Sequence, residues 1–305
     1  MGTPEFAVAS LDALCEAGCN IVGVVTAPDK PAGRGLLLQP SAVKRYATEK
    51  SIPLLQPVKL KDPAFLQALD TLKADLQVVV AFRMLPEVVW NRPPLGTINL
   101  HGSLLPQYRG AAPINWAIID GNTQTGVSTF LLQHEIDTGQ ILLKTPIEIG
   151  PNETAGELHD KMKEIGAALL VKTVQGWIEK TIVPTPQSDQ GDIGQPLRHA
   201  PKLTKETGQI DWQQPVALIH NLVRGLSPTP CAYTQLHGKL LKIIKSNPLP
   251  AHRSLRPGQV ATDGKTYLYF GCGEGALEVL VLQLEGKKKM PTVEFLKGYR
   301  FEEGQ

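Results

Sequence analysis

The stretch LQVVVAFRMLPEVVWNRPPLGTINLH, residues 76–101, decides the fold. Residues 76–81 form a near-continuous, valine-rich apolar run, the mark of a strand buried on both faces. Pro93 and Pro94 break the chain, and residues 97–101 then read as a second short strand. Toward the N-terminus, Thr3 is placed to cap a helix whose first residue is Pro4, with Phe6, Leu11 and Leu14 at near-helical spacing until Gly18 ends the run. A β-branched strand at residues 21–26, a Pro- and Gly-rich loop at 28–35 and a helix at 41–50 follow. Toward the C-terminus, Pro113 and Gly121 bracket a short helix containing Trp116, and residues 127–132 read as a strand. Thr154 and Glu157 then form a capping box for a helix that reaches Trp177. This strand and helix alternation predicts an α/β domain with a Rossmann-like, mostly parallel sheet.

One feature departs from that plan. A doubly wound domain opens on a strand that feeds its first helix, yet here the helix begins almost at Met1. The expectation is that an upstream first strand is missing, leaving a gap in the sheet beside the strand at Ile21.

Residues 183–201 turn to Pro, Gln, Asp and Gly with little periodicity, as a linker does. The expected organisation is a catalytic domain at 1–185, a linker at 186–202 and a second domain at 203–305. In the latter, a helix opened by Pro215 precedes short strands separated by turns at His237-Gly238, Asp263-Gly264 and residues 271–275, which suggests a small β-barrel.

Composition narrows the class. The chain has 305 residues, 42% hydrophobic and 20% charged, enough for two cores. No stretch approaches the about 18 to 20 consecutive apolar residues of a membrane span, and residues 1–6 lack the order of a signal peptide, so a cytoplasmic protein is expected. The four cysteines, Cys15, Cys19, Cys231 and Cys272, are too scattered for a disulfide framework or a metal site, and no metal is expected. Residues 1–190 hold 16 Lys and Arg against 19 Asp and Glu, a net −3, and the remainder hold 15 against 10, a net +5. That asymmetry favours a polyanion against the C-terminal part.

The densest cluster of reactive residues is INLHGSLLPQYRGAAPINW, residues 98–116. Asn99 and His101 are two apart on a strand, so an amide and an imidazole share one face and can converge on a substrate oxyanion. The end of a parallel strand is where open α/β sheets bind ligands. An Asn-x-His pair alone is more often ordinary structure. Asp137, in a Gly-containing turn just past another strand, adds a carboxylate able to sit beside His101 and favour its protonated form. Together the three make a general acid/base site.

Several blocks then occur in order: GTPEFAV (2–8), KPAGRG (30–35), the 98–116 block, IDTGQIL (136–142), HAPKLTKE (199–206), IDW (210–212), RGLSPTPCAYT (224–234) and LEGKKKM (284–290). With them the chain resembles the methionyl-tRNA formyltransferases over nearly its whole length. The resemblance implies an N-terminal formyltransferase fold, an OB-like C-terminal domain, and transfer of formyl from 10-formyltetrahydrofolate to methionine on initiator methionyl-tRNA. It places the catalytic asparagine, histidine and aspartate at Asn99, His101 and Asp137. Folate contacts fall on Phe82, Arg83, Met84 and Leu85, on Ser103, Leu104, Leu105 and Pro106, and on Gln133 and Ile136. Phe82 and Arg83 stand where many members carry Tyr-Gly. Arg34 and Lys30 match the loop that enters the tRNA acceptor arm, Lys202 and Lys205 add phosphate contacts, and Phe6 lines a methionine pocket; for most of these, core packing or a solvated surface is the competing explanation. The expected state is a monomer. Rival readings are a sugar-amine formyltransferase with the same trio and a catalytically idle tRNA-binding protein.

Overall fold

The computed structural model describes residues 1–32, 37–187, 196–251 and 255–301, so Arg34 lies outside the described residues. The first elements are α1 (Glu5–Glu16), β1 (Val24–Val25), β2 (Lys30–Ala32), β3 (Leu37–Gln39), α2 (Ala42–Glu49), β4 (Leu54–Leu55), α3 (Pro63–Leu72) and β5 (Gln77–Val80). They continue with α4 (Glu87–Trp90), β6 (Thr97–His101), β7 (Arg109–Gly110), α5 (Pro113–Ile119), β8 (Gln124–Leu131), β9 (Ile141–Glu148) and α6 (Ala155–Ile178). After β10 (His199–Ala200) come α7 (Val216–Gly225), β11 (Ala232–Leu236), β12 (Lys239–Leu249), β13 (Val260–Thr262), β14 (Leu268–Gly271), β15 (Ala276–Leu284), β16 (Met290–Pro291) and α8 (Thr292–Lys297). Two compact units result, one of Met1–Gly110, Gly126–Ile147 and His159–His199, the other of Ala111–Thr125, Glu148–Leu158 and Ala200–Gln305.

In the first unit β5, β6, β8 and β9 form one sheet in that order. β5 and β6 run parallel, with Val79 beside Asn99, whereas β6 and β8 are antiparallel, with His101 opposite Ser128. The Rossmann-like sheet is therefore mixed. β1 and β4 make a separate parallel pair. Among the described residues, Met1 and Gly2 alone bridge the two sheets: the Gly2 N–H donates to the Val25 carbonyl at 3.0 Å, and the Val80 N–H to the Met1 carbonyl at 2.9 Å. Gly2 cannot carry a side chain, since a Cβ there would meet the Ala7 Cβ at 2.4 Å and the Val80 oxygen at 2.7 Å. The gap expected beside the strand at Ile21 is present, as a cavity of about 150 Å³. It also corrects the strand itself. Only Val24 and Val25 find a partner in β4, and residues 21–23, facing the gap, do not join a sheet.

Local signals set most helix starts. Asp62 caps α3 by accepting from the Ala64 N–H, with Pro63 in the first turn, and Ser41 caps α2 by accepting from the Lys44 N–H. At α1 the expectation fails: the helix starts at Glu5, so Pro4 occupies the cap position and Thr3 lies one residue too early to cap it.

The second unit is a curled antiparallel sheet, an OB-like half-barrel, in the order β11-β12-β15-β14-β13 with β16 on β15. Register shifts between Ile243 and Ser246 bend β12 against β15. His237 and Gly238 both take positive φ, 48° and 76°, in the tight turn joining β11 to β12. α7 closes the core through Ile219 and Val223, which join Phe270, Leu282 and Phe295. Among the described residues no helix is long and apolar enough to cross a membrane.

Candidate active site

β6 presents Asn99 and His101 two residues apart, and its two parallel or antiparallel neighbours hold the strand from both sides. His101 is buried, and its Nε2 lies 2.9 Å from the Tyr108 carbonyl oxygen. A carbonyl can only accept, so Nε2 carries the hydrogen and Nδ1 is the nitrogen left for a substrate. Nδ1 faces the Asp137 Oδ2 at 3.8 Å. That is too long for a hydrogen bond but within ion-pair reach, where a carboxylate attracts an imidazolium. The half-buried Asn99 side chain makes no hydrogen bond to a described residue, which leaves its amide donors available.

Loops fix both partners. The Ser128 hydroxyl on β8 donates to the Ser103 carbonyl at 2.7 Å and accepts from the Leu105 N–H at 3.1 Å, clamping the loop that follows β6. Ser103 is buried and donates to the Gln107 carbonyl at 2.6 Å. Asp137 is anchored from two directions. Its Oδ2 accepts from the Gly110 N–H at 2.9 Å, and Gln187 Nε2 donates to the carbonyls of Asp137 and Gly139 at 2.9 and 2.7 Å. Gln187 Oε1 in turn accepts from Arg109 Nε and Nη2 at 3.0 and 2.8 Å. Gly139 admits no side chain, because a Cβ would lie 1.7 Å from the Leu131 oxygen. Ala81, Tyr108 and Asp137 all hold left-handed backbone, at φ 47°, 58° and 55°. Such conformations cost energy outside glycine and concentrate where a site needs a fixed geometry.

The structure thus brings His101 and Asp137 together beside Asn99. The other expected residues are placed as follows. Phe82 and Leu85 pack on the cluster of Val25, Phe65 and Val89, whereas Met84 is 73% exposed. Arg83 donates to the carbonyls of Val58, at 2.9 Å, and Pro57. Leu105 is fully buried against Phe130 and Ile141, Pro106 is buried, and Leu104 is half-buried. Gln133 donates to the Thr138 hydroxyl at 2.6 Å, and Ile136 is exposed. Phe6 is buried on α1, edge-on to His159 at 5.2 Å, so its ring is held in the core. Lys30 in β2 is exposed, as are Lys202 and Lys205 in the second unit. Sequence reasoning missed Ser128, the Gly110 N–H and Gln187. The last lies in the stretch whose composition reads as a linker, so no local signal marked it.

Comparison with known proteins fits this geometry. The formyl transferase family model matches residues 1–174, and the formyl transferase C-terminal domain model matches residues 202–300. A methionyl-tRNA formyltransferase of Bacteroides fragilis is 52% identical over 308 residues, covering 99% of this chain and 95% of its own length. That of Porphyromonas gingivalis is 48% identical over 308 residues, covering 98% and 94%. Among solved structures, the N-formyltransferase from Helicobacter canadensis, in complex with folinic acid and dTDP-3-aminofucose, aligns with a TM-score of 0.67 at 19% identity, over 95% of this chain and 97% of that one. At that identity the likeness speaks for the fold alone. Two matching family models and near-half identity or better over almost the full length show that the chain belongs to the formyltransferase family and, within it, to the methionyl-tRNA formyltransferases.

Proposed function

We propose that this chain transfers the formyl group of 10-formyltetrahydrofolate to the α-amine of methionine carried by initiator tRNA. The observation that carries the reading is the His101 Nδ1, left open by the Tyr108 carbonyl and facing Asp137 at 3.8 Å, on the same strand as an Asn99 amide that bonds to none of the described residues. The amine attacks the formyl carbon and forms a new C–N bond. The negative charge on the former carbonyl oxygen is met by the Asn99 amide and the His101 Nδ1–H. The tetrahedral centre then collapses, the bond to N10 of the folate breaks, and N10 takes a proton as tetrahydrofolate leaves. The Asp137 carboxylate faces His101 Nδ1 at 3.8 Å and, through water, receives the proton that the attacking nitrogen gives up and passes it to N10.

In this reading the pterin lies along residues 81–86, 103–106 and 133–136, and contacts from the buried Leu105 and Pro106 are main-chain ones. Arg34, outside the described residues, and Lys30, Lys202 and Lys205 contact tRNA phosphates, and Phe6 borders the methionine pocket. Residues 1–185 and 203–305 act as catalytic and tRNA-binding domains of a cytoplasmic monomer. Asn99→Ala and Asp137→Ala should each lower formyl transfer about a hundredfold, with circular dichroism unchanged. Wild-type turnover in either variant would overturn the mechanism, and transfer to amino-sugar nucleotides but not to methionyl-tRNA would overturn the substrate.

A further inference from the structure

The hairpin of β2 and β3 pairs Lys30 with Gln39, Pro31 with Leu38 and Ala32 with Leu37. Lys30, Pro31, Leu38 and Gln39 are all exposed, Leu38 at 67%. A two-stranded ribbon exposed in this way has little packing to hold it, so its direction is set at its base. On the entry side, Asp29 joins two other elements. Its Oδ2 lies 2.6 Å from the Lys44 Nζ of α2, and its Oδ1 accepts from the Gln56 Nε2, just past β4, at 2.9 Å. The same amide donates to the Ala27 carbonyl at 3.0 Å. On the exit side, Arg45 donates to the Pro40 carbonyl at 3.2 Å and pairs with Glu5 at 2.9 Å. The hydroxyls of Thr26, before the hairpin, and Ser41, after it, meet at 2.8 Å.

These bonds sort the basic residues of the region. Lys44 and Arg45 are engaged within the chain, whereas Lys30 has no ion-pair partner among the described residues. The Lys44 ammonium and then the Gln56 amide hold the Asp29 carboxyl below the usual aspartate range, so it stays ionised at neutral pH. A negative charge beside Lys30 repels a polyanion, a cost that calls for a compensating role. We propose that Asp29 is a positioning residue for the nucleic-acid substrate: its carboxylate draws α2 and the segment after β4 onto the entry stem, and so fixes the direction in which the β2–β3 hairpin presents Lys30 to the tRNA backbone. The inference rests on the assignment of methionyl-tRNA as substrate and of Lys30 as a phosphate contact. Charge-assisted hydrogen bonds are the strong ones, and here both side chains are half-buried, where salt screens a pair less than in open solvent.

Charge and geometry make opposite predictions for Asp29→Ala. Were the carboxylate to act through its charge alone, its removal would make the region more positive, release Lys44 and tighten tRNA binding. Untying the hairpin instead lowers the fraction of molecules that hold the competent direction, and apparent affinity falls with that fraction. In the full chain, Asp29→Ala should therefore raise the KM for methionyl-tRNA and weaken its direct binding, each about tenfold, with the KM for 10-formyltetrahydrofolate unchanged. Asp29→Glu, which keeps both acceptor oxygens, should recover most of the loss. Asp29→Asn, which can still meet Gln56 but lacks the charge that draws Lys44, should recover less. Unchanged or tighter tRNA binding in Asp29→Ala would overturn the role of Asp29, and so would an equal rise in the folate KM, the mark of a general structural loss. The unmutated chain is measured in the same way. Binding of tRNA without formyl transfer would overturn the assigned reaction while the binding comparison still decides the role of Asp29, and no tRNA binding at all would overturn both.

Discussion

At the scale of single residues, the proposed site rests on groups set behind Asn99, His101 and Asp137. Gln187 holds the carbonyls of Asp137 and Gly139 with one amide and Arg109 with the other end of its side chain. Gln187→Ala should release the turn that aims Asp137 and lower kcat about tenfold or more, since small misplacements of a catalytic group are costly. Gln187→Glu, which keeps the acceptor but loses the donor, should recover little; recovery to wild type would show that only the Arg109 contact matters. Gly139→Ala should be worse, because its new methyl would collide with the Leu131 carbonyl; a soluble, fully active Gly139→Ala enzyme would contradict the described turn. Asn99, His101 and Asp137 were legible in the sequence as a strand pair and a turn carboxylate. Gln187 was not, because its partners are 48 to 78 residues away in the chain and its neighbourhood has the composition of a linker.

Among the elements, α6 shows how a local signal becomes a stability term. The Thr154 hydroxyl accepts from the Glu157 N–H at 3.3 Å, and the Glu157 carboxylate accepts from the Thr154 N–H at 2.8 Å and its hydroxyl at 2.7 Å. The Thr154 N–H and then its hydroxyl hold the Glu157 carboxyl below the usual glutamate range. A depressed folded value adds stability above the ordinary glutamate range and loses it as pH falls through the folded one. Thr154→Ala should cost about 1 kcal/mol at pH 7, and the difference from wild type should shrink in acid; chemical denaturation at both pH values measures it. This capping box was legible because both residues are close in sequence. The strand at residues 21–26 was over-read for the opposite reason: β-branching favours extension, but a strand exists only where a neighbour supplies hydrogen bonds, and β4 pairs with Val24 and Val25 and takes the Thr26 N–H, leaving residues 21–23 outside any sheet.

For the whole molecule, charge separates along the chain. Residues 1–190 carry a net −3 and the rest +5, the latter including the exposed Lys202 and Lys205. If phosphate contacts drive binding, affinity for methionyl-tRNA should fall about tenfold or more between 50 and 200 mM salt. A Lys202→Ala, Lys205→Ala double variant should flatten that slope without changing kcat at saturating tRNA; an unchanged slope would place the contacts elsewhere. The α/β class and the curled second sheet were both readable, from apolar runs in one and turn spacing in the other. The antiparallel junction of β6 with β8 was not, since strand direction is set by how the chain returns and not by local pattern.

The carbonyl of Tyr108 that takes the His101 Nε2–H belongs to the main chain. Which imidazole nitrogen is left open is therefore inherited with the fold and not encoded by any one side chain. A substitution at Tyr108 that kept the backbone's path would leave the histidine's orientation in place.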